Sequence, residues 1–404
     1  MEKREDNKNP SIKILVGYHK PAKLLKDDIL TPIHLGRALA TEASKDGEMS
    51  QEDFEWMCEN MIGDDTGDNI SHLNRYLNEL TGIYWAWKNY DKLGNPDYIG
   101  YMHYRRHFIF DEDYTKTLKL NGDGYSYLVD SFDEDYCNNI SPNLHIDLIL
   151  KNDIIVPKPF DCNQVLEKTF IAKCLKEFLV SWNGNNESAY NLLVFLLARM
   201  KCYEVYSDLA KKMFQSTVYY PCNMFVMKRK YFFTYCEFLF EIMFLLNDIL
   251  GHDISKRNYW ECRELAWISE YVTTLFFYKI DNRFECDISL VQMQILNIYC
   301  TPNVIRNHLS YKVGEAILDA KNFKQKICLL FTLLKIVRKH REELKKNAKA
   351  NSNLERKRLF SEDLKDYEEF LKIKNSFSYK LGNLIVKHPF TFFLKIRNLK
   401  KTIN

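Results

Sequence analysis

The sequence predicts an α/β domain with a mostly parallel sheet, followed by a helical, basic C-terminal region. Three observations carry that prediction. Short β-rich apolar runs alternate with stretches of helical periodicity through the first 300 residues. One of these runs, DYIGYMHYRRHFIF (residues 97–110), leads straight into two histidines and two arginines. The charge also divides: residues 301–404 hold 24 Lys+Arg against 10 Asp+Glu, or +14, and the first 300 hold 33 against 44, or −11, within a total of +3.

The first strand is IKILVGYHK, apolar and β-rich, with His19 and Lys20 at its exit. DDTGDN follows at Asp64, where Asp and Asn side chains hydrogen-bond nearby backbone and set a turn. Ile70, Leu73, Leu77, Leu80 and Tyr84 then recur at spacings of 3, 4, 3 and 4, which predicts one amphipathic helix with Asn69 or Ser71 as N-cap. Next comes the strand DYIGYMHYRR, and later the short strand NDIIVPKPF, stopped by prolines at 157 and 159. Residues 164–215 read as helical. VYYPCNMFVMKRKYF reads as a loop, a short buried strand and a helix start, and RELAWISEYVTTLFFYKI as a helix whose apolar face is interrupted by Glu270. Beyond residue 310, Phe323, Ile327, Leu330, Leu334 and Val337 form another helical stripe beside the basic runs VRKHREELKK and LERKRL. No internal repeat is expected.

At 404 residues, 46% hydrophobic and 14% aromatic, the chain can bury a core and divide into two or three domains. The N-terminus MEKREDNKNPS is charged and lacks the apolar run of a secretory signal. No run of about 18 apolar residues predicts a spanning helix. Eleven scattered cysteines without a CxxC fit reduced thiols rather than a disulfide framework or a zinc site. The basic region points to an anionic partner, membrane lipid or nucleic acid, or equally to a solvated helical face.

Ligands of open α/β sheets bind beyond the carboxyl ends of the strands, which places His103, Arg105 and Arg106 at the crevice. The planar arginine fork suits phosphate or carboxylate, so the pair implies a phosphorylated or acidic substrate. Alternate strand residues face opposite ways, so either arginine can instead be a salt-bridging or solvent-facing residue.

GYHK, DDTGDNIS, ELTGIYWAWKN, YIGYMHYRRHF, DIIVPKP, NMFVMKRKYF and R…ISE stand in an order similar to one bacterial family. Together they resemble the capsular-polysaccharide-type glycosyltransferases, a former domain of unknown function marked by ELTxxYWxWKN and HYRRxF, over roughly residues 12–280. The resemblance implies a GT-A-like (Rossmann-like) nucleotide-sugar-binding catalytic domain over residues 1–300, with 301–404 as the helical basic extension. It implies transfer from a nucleotide-diphosphate sugar, a UDP-sugar first, to a glycan or lipid-linked glycan acceptor of capsule, lipooligosaccharide or O-antigen. The expected location is cytoplasmic, peripheral at the inner face of the cell membrane. Two readings from other classes stand beside it: a non-catalytic membrane-associated scaffold, and a nucleic-acid-binding protein using the basic tail. The tail carries no recognised nucleic-acid motif, so no nucleic-acid partner is expected.

Many GT-A enzymes end the corresponding strand in Asp-x-Asp, which holds a divalent metal on the diphosphate; this chain has MHYRR. Two arginines can neutralise a diphosphate directly, so the expected site needs little or no metal. If Mn or Mg is required, Asp64, Asp65 and Asp68 are the candidate ligands. Arg105, Arg106, Lys20, His19, Asp68, Asn69 and Asn223 are the expected donor-binding residues; His19 and Lys20 can equally be loop residues, and Asn69 a helix cap. Glu270 is the expected base toward the acceptor hydroxyl, its pKa raised by apolar neighbours, or else a salt-bridge partner of Arg263. His103 is expected to orient a hydroxyl or bind metal. Glu79 is expected as a buried partner of the arginines, and Trp85 and Trp87 as core or sugar-stacking residues. Residues 379–401, YKLGNLIVKHPFTFFLKIRNLKK, alternate apolar clusters (Leu384, Ile385, Val386; Phe390, Phe392, Phe393, Leu394) with Lys and Arg and hold no acid. They suit an anionic membrane interface, or a brace on the catalytic domain.

Overall fold

Ile12–Tyr18 (β1) is apolar without alternation and buried almost throughout, as a strand covered on both faces must be. The other strands are Leu30–His34 (β2), Ile62–Gly63 (β3), Tyr98–His103 (β4), Arg106–Ile109 (β5), Lys119–Leu120 (β6), Ser126–Val129 (β7), Ile154–Pro157 (β8), Phe160–Asp161 (β9), Val218–Tyr219 (β10), Phe225–Lys228 (β11) and Leu290–Ile298 (β12). The central sheet has the order β3-β2-β1-β4-β11-β8-β12-β7-β6, with β5 pairing both β4 and β12. Parallel pairing joins β3, β2, β1 and β4, and joins β8 to β12. β11 lies antiparallel between β4 and β8. Six strands therefore share one direction, and the sheet is mostly parallel. The exits of β1, β2, β3 and β4 and the entry of β11 fall on one edge.

The structure, a computed structural model, describes residues 10–40, 49–120, 126–129, 134–163, 174–177, 187–199, 204–257, 261–281, 290–298, 309–320, 333, 335–339, 372–373 and 376–387. Two compact units divide the chain, Met1–Asn297 and Ile298–Asn404. In the first, the helices Arg229–Ile254, Glu264–Asp281 and Leu80–Lys88 bury a large aromatic and aliphatic core against the sheet. Of the stretch 164–215, the helices Glu187–Arg199 and Glu204–Gln215 are described. The stripe from Phe323 to Val337 lies almost wholly outside the described residues, as do Phe390, Phe392, Phe393 and Leu394. Among described residues, no helix is long and apolar enough to cross a membrane.

The single helix expected from Ile70 to Tyr84 is instead broken. A 3-10 turn at Ser71–Leu73 leads into Asn74–Leu77, and a second helix starts at Leu80. Between them Asn78 adopts φ 45° and ψ −120°, a positive-φ conformation uncommon for any residue but glycine. The Asn74 side-chain amide donates to the Asn78 carbonyl at 2.7 Å and to the Thr81 hydroxyl at 2.9 Å. The apolar spacing survives the break because both pieces still face the core; polar side chains replace the missing helical hydrogen bonds.

Candidate active site

The chain does not simply end β4 at His103. It turns back through Tyr104 and Arg105, and Arg106 pairs with His103 as the first residue of β5. The Tyr104 amide donates to the Gly17 carbonyl at 3.1 Å, which fastens the turn to β1. The buried Tyr104 ring lies 5.5 Å from Tyr18 and 5.3 Å from His19, and the Arg105 guanidinium sits over it at 5.7 Å. One tyrosine thus gathers His19 and Arg105 at the carboxyl edge. Lys20 follows His19 there, half-buried. Gly17 lets this edge close: a Cβ on it would fall 2.0 Å from the Tyr101 hydroxyl.

The loop entering β11 is the second part. Cys222 and Asn223 both hold positive φ, 72° and 49°, and this turned backbone reaches several partners. His103 Nε2 donates to the Cys222 carbonyl at 2.8 Å, which fixes its neutral tautomer. The Cys222 N–H binds the Glu270 carboxylate. Asn223 was expected to touch a ligand, but it is fully buried and its amide is fully engaged. Its Nδ2 donates to Glu79 Oε1 and to Ser269 Oγ, each at 2.8 Å, and its Oδ1 accepts from the Thr273 hydroxyl at 2.7 Å. Asn223 therefore positions Glu79 rather than facing substrate. Glu79, placed just past the break at Asn78, is held by Asn223.

Electrostatics tie these groups together. Burial, then the Glu79 charge, push the Glu270 carboxyl up from 4.5 to about 7, against the pull of Arg106, the Cys222 N–H and Arg263. Burial pushes His103 down from 6.5 to about 4; Glu79 opposes this, and Arg106 and Arg105 add to it. His103, Glu79, Glu270, Arg105, Arg106 and Arg263 thus share one electrostatic neighbourhood. A carboxyl titrating near neutrality can accept a proton from a hydroxyl, and adjacent arginines can offset an anionic leaving group. His103, neutral and anchored through Nε2, holds the Cys222 loop.

The DDTGDN loop at the exit of β3 is largely scaffold. Asp64 is buried and accepts from the Gly36 and Arg37 amides and the Ser71 and Thr81 hydroxyls, at 2.6–3.1 Å. Burial raises its pKa, and those four donors pull the other way. Asp65 faces Arg37 at 4.0 Å, and Asp68 accepts from the Tyr84 hydroxyl at 3.1 Å. Each of these carboxylates has its own partners: Asp64 is taken up by the Gly36 and Arg37 amides and two hydroxyls, Asp65 faces Arg37, and Asp68 holds Tyr84. Among the described residues, no three His, Cys, Asp or Glu converge in a way that could hold a metal. Asn69 accepts from the Ser71 amide at 3.2 Å and donates to the Asp65 and Gly67 carbonyls, a turn and not the expected helix cap. Ser71 is no cap either, because its hydroxyl goes to Asp64 and to the Ala38 amide.

The ELTGIYWAWKN stretch explains itself against that loop. Trp85 Nε1 donates to the Thr66 carbonyl at 2.8 Å, and Asn89 Nδ2 to the Asp68 carbonyl at 2.8 Å. Trp87 stacks on Phe240 with 6° between the ring planes. Both tryptophans are therefore packing residues. Sequence reasoning missed the Cys222 backbone and the Asn223 contact of Glu79. No local signal marks either, since both depend on contacts between distant segments.

A solved structure described as "WbbM bifunctional glycosytransferase apo structure" is similar to this chain, with TM-score 0.59 and 23% identity. The match covers 80% of this chain and 57% of that one, so the chain spans less than two thirds of that protein. The likeness shows the fold, an α/β, GT-A-like domain with a mostly parallel sheet. No curated protein matches. The profile of a second family, also described as a domain of unknown function (DUF8374), matches residues 273–403. A profile covering residues 13–282, well over half of the chain, places it in a family: the chain belongs to the one described as Domain of unknown function (DUF4422).

Proposed function

We propose that this chain is a glycosyltransferase. It moves a sugar from a nucleotide-diphosphate sugar, a UDP-sugar in the first instance, to a growing capsular polysaccharide, lipooligosaccharide or O-antigen. The observation that carries the reading is the β4–β5 hairpin, which carries Arg105 and Arg106 at the carboxyl edge, both acting on His103, with Arg106 also acting on Glu270. The likeness to a bifunctional glycosyltransferase supports the same reading in general terms.

In direct displacement, the acceptor hydroxyl gives its proton to the Glu270 carboxylate as its oxygen bonds to the anomeric carbon. The bond from that carbon to the diphosphate breaks, and the electron pair leaves with the diphosphate, whose charge Arg105 and Arg106 offset. Glu79 raises the proton affinity of Glu270 through its charge. The basic C-terminal region brings the enzyme to the inner face of the membrane, where lipid-linked acceptors are met.

Thermal-shift measurements against UDP, GDP and CMP sugars test the reading. A ligand at a hundred times its Kd adds about 2.7 kcal/mol to the stability of the native state. Stabilisation by one nucleotide-sugar class, lost in Arg105→Ala and Arg106→Ala, is the expected result; no shift with any of them overturns it. Turnover abolished by EDTA and restored by manganese would remove the arginine-only account of the diphosphate.

A further inference from the structure

The two fully described helices of the C-terminal unit carry one motif twice. Leu309–Asp319 reads LSYKVGEAILD and Phe377–Lys387 reads FSYKLGNLIVK. Ser310 and Ser378, Tyr311 and Tyr379, Lys312 and Lys380, Gly314 and Gly382, and Ile317 and Ile385 coincide. The copies also pack on each other reciprocally. A Cβ on Gly314 would fall 1.7 Å from the Ser378 carbonyl oxygen, and one on Gly382 would fall 1.7 Å from the Ser310 carbonyl oxygen. Each helix thus presents a Ser-x-x-x-Gly step to the backbone of the other, the arrangement that lets helices close with no large side chain between them.

The pair buries Val313 and Leu381 but leaves one aliphatic of each copy at the surface. Leu318 and Val386 occupy equivalent positions in the two copies and are 40% and 39% exposed. Ile317, Leu384 and Ile385 are half-buried. An apolar edge of this kind, repeated on two short helices, has to meet something apolar or remain wetted.

We propose that the duplicated pair is a docking element for an anionic lipid surface. Each copy supplies one aliphatic edge, Ile317–Leu318 and Ile385–Val386. The choice of occupant rests on charge: residues 301–404 carry 24 Lys+Arg against 10 Asp+Glu, and no acid occurs after Asp366 and Glu368–Glu369. A net positive region attracts an anionic leaflet by about 1 kcal/mol per basic residue near it, and the aliphatic edges add area burial. This deepens the membrane part of the proposed function and rests on that reading.

The test uses the full chain, floated at low salt with phosphatidylglycerol vesicles and with phosphatidylcholine vesicles. Wild type is expected on the anionic vesicles and not on the neutral ones. Leu318→Glu and Val386→Glu should each weaken vesicle binding severalfold, and the double variant by about tenfold or more. Because both side chains reach the surface, thermal unfolding should remain cooperative in each, with only a small fall in Tm. If Val386→Glu acts and Leu318→Glu does not, the repeat is not a paired element and the proposal fails. It also fails if the double variant binds vesicles normally, or if its effect is to dissociate a dimer seen by light scattering, since a second copy is then the occupant. Nucleotide-sugar turnover on a soluble acceptor, measured in parallel, separates the two readings: vesicle binding without turnover condemns the glycosyltransferase reading and leaves the docking element standing.

Discussion

Replacing Glu270 by Gln tests the central carboxylate without knowledge of the sugar donor. An ordinary glutamate titrates near 4.5, and this one is pushed to about 7 by burial and by Glu79. Because the folded value is raised, the stabilising effect is fully present below pH 4.5 and is lost as pH rises through 7. Each pKa unit corresponds to about 1.4 kcal/mol, so the upper bound is about 3 kcal/mol. Glu270 is partly accessible to solvent, and screening reduces this to about 1–2 kcal/mol. For a domain of this size, that is about 2–6 °C in Tm. The expected outcome is that wild type and E270Q change differently with pH: relative to wild type, the variant gains about 2–6 °C between pH 5 and pH 8.5. Circular-dichroism melts of the two proteins decide the matter. Parallel curves would show that Glu270 titrates as an ordinary surface acid, and its assignment as the base would fall with the shift. Turnover gives the second reading: the wild-type rate at pH 6 should be about a tenth of its plateau, and E270Q should lose about 10²–10⁴-fold.

Arg105→Ala and Arg106→Ala should leave the fold intact, and at least one should weaken nucleoside diphosphate binding by about ten- to a hundredfold, a loss of about 1.5–3 kcal/mol, read by calorimetry. Wild-type affinity in both would remove them from the sugar-donor site. Asn223→Ala leaves Glu79, Ser269 and Thr273 without their buried partner, and should cost about 2–4 kcal/mol in urea denaturation; an unchanged midpoint would mean the network is not formed. On the acid side the sign reverses. Burial lowers His34 and His107 from 6.5 to about 3, so their contribution is present above pH 6.5 and lost as pH falls toward 3. His34→Gln should flatten the fall in urea midpoint between pH 7 and pH 5, and an equally steep fall would refute its part.

How much of this was legible in the chain depends on how far each feature reaches. The first strand, the strand into His103, Ile154–Pro157 and Phe225–Lys228 were all visible as short apolar runs bounded by polar or breaking residues, because burial on both faces leaves a local signature. That His103 and the arginines come at the carboxyl end of a strand followed from the order of residues in that run alone. The break at Asn78 was invisible, since the apolar spacing runs through it unchanged. The repeated Ser-Tyr-Lys-x-Gly motif is present in the letters, against the expectation of no internal repeat, but two copies of eleven residues do not make a period, and only their contact gives them meaning.

What the sequence determined by itself is therefore the class of fold and the candidate residues: an α/β sheet, paired arginines, and a carboxylate in an apolar helix. Tertiary structure decided which of the candidates come together and which serve as scaffold. Asn223 and Glu79 are 144 residues apart and meet only when β11 enters the sheet beside β4. That meeting turns an expected ligand contact into the clamp on a carboxylate. Asp64 became scaffold for the same reason, because its four donors come from three separate segments of the chain. Hydrophobic burial is written in local periodicity, whereas hydrogen bonds between buried polar groups depend on distances that only the assembled fold supplies.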